Sequence, residues 1–259
     1  MSKKIFWKII IIVISLLMST TYLFVLNPEV YFLQHAIGCF YMHFDEHSYK
    51  QQNKWFLKAA NNGHACSQFN IGVAYEYGNG YEIDYNQATE WYRKAAEQGY
   101  AAAQANLGYC YERGLGVERN YEQALILYRK AAAQGDSYAQ CNIGACYYEG
   151  TGVEQDYTQA AAWFQKAAEA GNASAQANLS TCYRFGYGVE KNYNQMIKWC
   201  RKAAEQGNII AQYNLGYYLE HGIGVPKNRK QAIHWYYQSA QQGYPDAKAA
   251  HNAIISSNL

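Results

Sequence analysis

Histidines, cysteines and glycine-rich loops are the parts of this 259-residue chain equipped for chemistry. The loops Gly78–Tyr81, Gly114–Val117, Gly150–Val153, Gly186–Val189 and Gly222–Val225 read G-x-G followed by Val or Tyr. Backbone amides of such loops hold phosphate when a Lys-Ser/Thr pair follows to complete the anion site. None of the five has that pair, so turn geometry accounts for them. His43 and His47 are spaced i, i+4, as two ligands on one helix face would be, but outside the H-E-x-x-H order. Cys141 and Cys146 are spaced i, i+5 and do not share a helix face well. No Cys–His nucleophile pair is singled out by spacing. No cofactor or metal is expected.

A fixed interval fixes where all these residues lie. A short phrase begins at Lys58, Lys94, Lys130, Lys166, Lys202 and, degraded, at Gln238, each copy 36 residues after the last. It reads KAANNG, KAAEQG, KAAAQG, KAAEAG, KAAEQG and QSAQQG. An unbroken period of this length is the signature of stacked supersecondary units. Ala88, Trp91, Tyr92 and Ala95 fall at i, i+3, i+4 and i+7, one apolar face of a helix. Asp84, Asn120, Asp156, Asn192 and Asn228 are expected N-caps, with a Gln three residues on at capping-box spacing. Gly99, Gly135, Gly171, Gly207 and Gly243 are expected to stop the helix in the left-handed conformation. A second helix follows, as in AAAQANLGYCYERG from Ala101.

Cys110, Cys146 and Cys182 share one column. Helices stack about 8–10 Å apart, whereas a disulfide needs Cα atoms within roughly 7 Å. The column is therefore expected to hold unbridged core thiols, and Cys182 with Cys200 is the pair that remains to be tested. The column Lys is expected to be a solvated stem. The recurring Asn (Asn70, Asn106, Asn142, Asn178, Asn214) has two readings, a structural bond between helices and a bond to a bound backbone.

The columns A-Q-x-N-L-G-x-x-Y-x-x-G-x-G-V-x-x-[DN]-Y-x-Q-A-x-x-W-Y-x-K-A-A-x-x-G closely resemble the Sel-one-like repeat (SLR) family, a cousin of the tetratricopeptide repeats. The likeness covers about residues 36 to 255. It implies an all-α fold, a right-handed α-solenoid of about six helix-turn-helix repeats; an N-terminal transmembrane or signal-anchor helix is expected ahead of it from the residues themselves. The expected organisation is residues 1–27 as signal anchor or signal peptide and 28–63 as a degenerate capping repeat. Sel-one-like repeats then occupy 64–243, and a C-terminal capping helix 244–259. Family members resemble adaptors, not enzymes. By likeness to tetratricopeptide folds, the A-Q-x-N-L-G helices line a concave groove. Phe69, Tyr109, Arg113, Tyr148, Arg184, Phe185, Tyr213, Tyr217 and His221 are then the residues expected to meet a protein or extended peptide, with Glu76 and Glu220 beside them. The disulfide-bearing subclass of the family has Cys where Ala60, Ala96, Ala132, Ala168 and Ala204 stand, and is not matched.

Lys3, Lys4 and Lys8 precede an uncharged run from Ile9 to Leu26, 18 residues in all. That is about enough to span a bilayer. An uncleaved anchor through residues 9–26 is expected, with the lysines holding the N-terminus in the cytoplasm and the repeats periplasmic or extracytoplasmic. A cleaved, secreted form is the alternative. Removing those three lysines from the 22 basic residues leaves 19 against 20 acidic ones, which excludes the basic surface of a nucleic-acid binder. The function expected is a membrane-anchored, non-enzymatic scaffold. The rivals are an envelope enzyme or cell-wall binder and a secreted host-interaction factor.

Overall fold

The computed structural model describes residues 34–37 and 49–256. These residues are helical throughout apart from the connecting turns, and no strand occurs among them. They fall into two compact units divided between Asn120 and Tyr121. The first holds a helical stretch at 34–37 followed by α1 (Tyr49–Asn61), α2 (Ala65–Tyr77), α3 (Tyr85–Glu97) and α4 (Ala101–Arg113). The second holds α5 (Tyr121–Ala133), α6 (Ser137–Glu149), α7 (Tyr157–Glu169), α8 (Ala173–Phe185), α9 (Tyr193–Glu205), α10 (Ile209–His221), α11 (Arg229–Gln241) and α12 (Pro245–Ser256). Within each unit successive antiparallel helices pack as hairpins. Among the described residues no helix is long and apolar enough to cross a membrane. The run from Ile9 to Leu26 lies outside them, as do Cys39, His43 and His47.

The local signals act where the sequence places them. The Asp84 carboxylate accepts the N–H of Asn86 at 2.9 Å and of Gln87 at 3.0 Å, which satisfies two orphan donors at the start of α3. Asp156 caps α7 in the same way, and Asn192 and Asn228 each accept one N–H, from Gln195 and Gln231, at the start of α9 and α11. The reciprocal half of the capping box is replaced. The cap's own N–H donates to a carbonyl nine residues back, Asp84 to Tyr75 at 3.0 Å and Asn192 to Tyr183 at 3.0 Å. This bond closes the G-x-G loop, so the glutamine is not needed there. Ala88, Trp91, Tyr92 and Ala95 are all buried, as their spacing requires.

One column sets how closely each hairpin closes. A β-carbon built on Gly72 would lie 2.6 Å from the Tyr92 ring, on Gly144 2.6 Å from Phe164, and on Gly216 2.8 Å from Tyr236. Glycine there is a socket for a fully buried aromatic of the next helix. The repeat at α8–α9 departs from this arrangement. Ser180 stands in the glycine column and Cys200 in the aromatic one, so a larger socket residue faces a smaller plug. Ser180 Oγ donates to the carbonyl of Met196 at 2.9 Å, which satisfies the buried hydroxyl.

The column lysines are more than solvated stems. Lys94 Nζ lies 4.0 Å from the ring centre of Trp91, Lys58 4.5 Å from Trp55 and Lys202 4.7 Å from Trp199. The tryptophan three residues earlier gives each ammonium a cation–π partner and is itself shielded by the aliphatic stem.

Candidate functional site

The second-to-last residue of α2, α6, α8 and α10 lies against the plug position of the following helix, and its identity decides what is left for a ligand. In α2 and α10 it is a carboxylate that accepts a tyrosine hydroxyl. Tyr92 donates to Glu76 Oε2, and Tyr236 donates to Glu220 Oε2 at 2.7 Å. Burial first, and then the adjoining carboxylate, push both phenols far above their ordinary range. Glu76 and Glu220 are half-buried, so each holds a tyrosine hydroxyl of the next helix while keeping part of its surface in solvent.

Where the plug loses its hydroxyl, the carboxylate is gone as well. Phe164 is faced by Tyr148 with ring centroids 6.4 Å apart, an aromatic contact in place of a hydrogen bond. Cys200 offers Arg184 no phenol at the plug position, and Arg184 reaches instead to α10. Its Nη1 lies 3.4 Å from the Tyr218 hydroxyl. Its guanidinium carbon lies 4.9 Å from the ring centre of Phe185, 5.2 Å from Tyr218 and 5.8 Å from Tyr217. Burial pushes the Tyr218 phenol up to about 12, while Arg184 pulls the other way.

Aromatic contacts run on from this point. Tyr157 and Tyr187 stack at 4.9 Å, Tyr148 meets both edge-on, and Phe185 stacks on Tyr187 at 5.5 Å. Tyr217 stacks on His221 at 4.2 Å. Beside Tyr148 opens a cleft of about 150 Å³ lined by Ala145, Tyr148, Glu149, Phe164, Asn178 and Thr181. The structure therefore brings Tyr148, Arg184, Phe185, Tyr217 and His221 into one connected patch on α6, α8 and α10. Tyr213 lies one turn before Tyr217 and packs on Tyr236 and Tyr244 at 5.7 and 5.2 Å. In the first unit Phe69 is half-buried between Tyr92 and Tyr100, Tyr109 is half-buried, and Arg113 is exposed at the end of α4.

Sequence reasoning passed over Tyr157, Tyr187 and Tyr218. Tyr187 had a signal, because the middle residue of the other G-x-G loops is Asn79, Leu115, Thr151 or Ile223. The asparagine column does not behave as one group. Asn178 Nδ2 lies 3.9 Å from Cys141 Sγ, whereas Asn142 Nδ2 is buried with no hydrogen-bond partner. Cys66, Cys110, Cys141, Cys146, Cys182 and Cys200 are free thiols, so Cys182 and Cys200 do not pair. Burial pushes Cys110, Cys141 and Cys200 up to about 12 and Cys182 to about 11, which makes them poor nucleophiles. Among the described residues no group of three or more His, Cys, Asp or Glu is placed to hold a metal ion.

Helical hairpins at a 36-residue period, three of them closed by an aromatic plug in a glycine socket, define an α-helical repeat protein. Residues 53–64, 67–100, 101–136, 137–172, 173–208 and 209–244 match the Sel1 repeat, and the chain belongs to that family. Solved structures agree. A Sel1 repeat protein from Oxalobacter formigenes is 33% identical over 85% of this chain and 87% of its own, with a TM-score of 0.73. A protective antigen of uropathogenic Escherichia coli strains, displaying the SLR fold, is 34% identical over 86% of this chain and 56% of its own, with a TM-score of 0.57. An immunity protein from Pseudomonas aeruginosa is 25% identical over 71% of this chain and 66% of its own, with a TM-score of 0.52. No curated protein matches the chain. Sel1 repeat proteins generally mediate protein–protein interaction.

Proposed function

We propose that this chain is a non-enzymatic scaffold that binds another protein or an extended peptide on the α6–α8–α10 face. The observation that carries this reading is Arg184, freed from its own hairpin by Cys200 and set among Phe185, Tyr217 and Tyr218. Aromatic rings around an arginine form the composition enriched in binding hot spots. The neighbouring cleft at Tyr148 would seat a side chain of the partner. The immunity protein among the structural neighbours is in keeping with a protein as the partner. The apolar run from Ile9 to Leu26 anchors the chain in a membrane, with Lys3, Lys4 and Lys8 on the cytoplasmic side and the repeats extracytoplasmic.

The test is a pull-down from the membrane fraction with the full chain and with Tyr148→Ala, Arg184→Ala and Tyr217→Ala combined. The wild type should retain a specific partner that the triple variant loses while its far-UV circular dichroism is unchanged. Retention by the triple variant places the interface elsewhere. Intact mass of the purified chain reports on the anchor, since a mature form lacking residues 1–26 rejects it.

A further inference from the structure

Two histidines, a cysteine, a serine and a tyrosine meet in the first unit, where the stretch 34–37 packs against α2. His35 Nδ1 lies 3.0 Å from Ser67 Oγ and its Nε2 lies 3.6 Å from Cys66 Sγ. Ser67 Oγ is also 2.9 Å from His64 Nδ1, and the Tyr100 hydroxyl is 3.3 Å from Cys66 Sγ. The hydrogen positions follow from the donor inventory. His64 Nδ1 accepts the Ser67 backbone N–H at 3.2 Å, so it carries no proton. Ser67 therefore donates its hydroxyl hydrogen to that nitrogen. Its oxygen is then the acceptor for His35 Nδ1–H. The lone pair of the His35 ring is left on Nε2, facing the Cys66 thiol. Tyr100 donates its hydroxyl to the same sulfur.

We infer that Cys66 is a thiol primed for exchange with low-molecular-weight disulfides, with His35 as its base and Ser67 as the group that orients the base. A nucleophile, a base within reach and a third residue fixing the tautomer form the general pattern of an activated nucleophile. In the exchange the Cys66 proton moves to His35 Nε2 as Sγ attacks one sulfur of the disulfide. A bond forms from Sγ to that sulfur and the original S–S bond breaks. The departing thiolate takes the proton from Nε2 and leaves as a thiol. Cys66 is oxidised to the mixed disulfide and the other half of the reagent is reduced, so no further oxidant is needed. Access favours this cysteine. Cys66 is half-buried, whereas the other five described cysteines are buried. His35 is kept in its neutral, accepting form by burial and then by the neighbouring His64. Cys66 and His64 are titratable groups in contact with it, and the Phe56 ring stacks on it at 5.3 Å. The positions are also particular to this repeat. Ser67 stands where Ala103, Ala139, Ala175 and Ala211 do, and His64 where Asp136, Asn172 and Asn208 do.

The test treats the full chain with glutathione disulfide and follows the adduct on the Cys66 peptide by mass spectrometry. With His35 as base, the rate should be nearly flat between pH 7 and 8, where the imidazole is already neutral. An unassisted thiol gains about tenfold per pH unit in this range. His35→Gln should slow the adduct by about tenfold or more, with circular dichroism confirming that the helices persist. Tyr100→Phe should slow it less. A rate in the wild type that climbs tenfold per pH unit overturns the inference without recourse to any variant. So does a folded His35→Gln protein that reacts as fast as the wild type, or an adduct that bypasses Cys66.

Discussion

Gln206 donates its side-chain N–H to the buried Oε1 of Gln176, thirty residues earlier, at 2.8 Å. Gln242 does the same to Gln212 at 2.8 Å, and Gln98 to Gln68 at 2.7 Å. Each inner glutamine donates in turn to a carbonyl eight residues back, Gln176 to Ala168 and Gln212 to Ala204 at 3.1 Å each. A buried amide is thereby satisfied at both ends. Gln140 is the exception. It donates to Ala132 at 3.5 Å, but its Oε1 is buried without a partner, and thirty residues on stands Ala170.

Ala170→Gln should supply the missing donor. Ala170 is exposed and has φ −74 and ψ 2, close to the −82 and 3 of Gln206, so the backbone need not change. The gain is about 1 kcal/mol, or roughly 2–4 °C in Tm. Gln206→Ala should cost about 1–3 kcal/mol by orphaning Gln176. Thermal melts followed by circular dichroism read both, and an unchanged melt for Ala170→Gln refutes the vacant-donor account.

The Ser180 and Cys200 pair makes a coupled prediction. Cys200→Phe places a ring against the β-carbon of Ser180, where the other repeats have bare glycine, and should cost about 1–3 kcal/mol. Ser180→Gly together with Cys200→Phe should recover most of that loss. Denaturant unfolding of the two single variants and the double variant gives a coupling of about 0.5–3 kcal/mol. Additive losses would mean that the socket does not set the fit.

Two glycines with similar torsions should respond unequally to alanine. Gly188 has φ 68, and a β-carbon there would lie 1.9 Å from the Tyr157 carbonyl oxygen. Gly171 has φ 94 and nothing within 4 Å. Gly171→Ala should cost about 1–2 kcal/mol from its torsion alone. Gly188→Ala must also displace backbone and should cost clearly more, with stability again read from urea midpoints.

His35 and His64 are both held below the ordinary imidazole value, chiefly by burial. The unfolded chain therefore binds protons at these sites before the folded one does. Stability should be flat above pH 6.5 and fall as pH drops below it toward the folded values. Replacing both with glutamine should flatten that limb of the stability profile measured between pH 5 and 7.5. A profile that stays unchanged assigns the acid loss to other groups.

The helices, their caps and their glycine stops were legible because each rests on interactions within one or two turns. Asp84, Gly99 and the buried face of Trp91 and Tyr92 act as their spacing requires. Contacts between helices were less legible. The commitment of Glu76 to Tyr92 depends on a sixteen-residue separation that links two helices, and no single-helix pattern reports it. Arg184 was legible as a candidate but its setting was not, because that setting follows from an absence at Cys200. The Cys66 cluster was missed for the same reason, since His35 lies 31 residues from Cys66 and outside the matched repeats.

The paired positions have a bearing on how such a chain can grow or shrink. Ser180, Arg184 and Cys200 lie together in the frame 173–208, as do Gln176 and Gln206. Matched changes therefore travel inside one duplicable cassette. Copying or losing a whole cassette would transmit a socket with its own plug and would disturb only the bonds at its two seams. Recombination at any other phase would separate the partners and create the mismatch that Gln140 and Ala170 show in miniature.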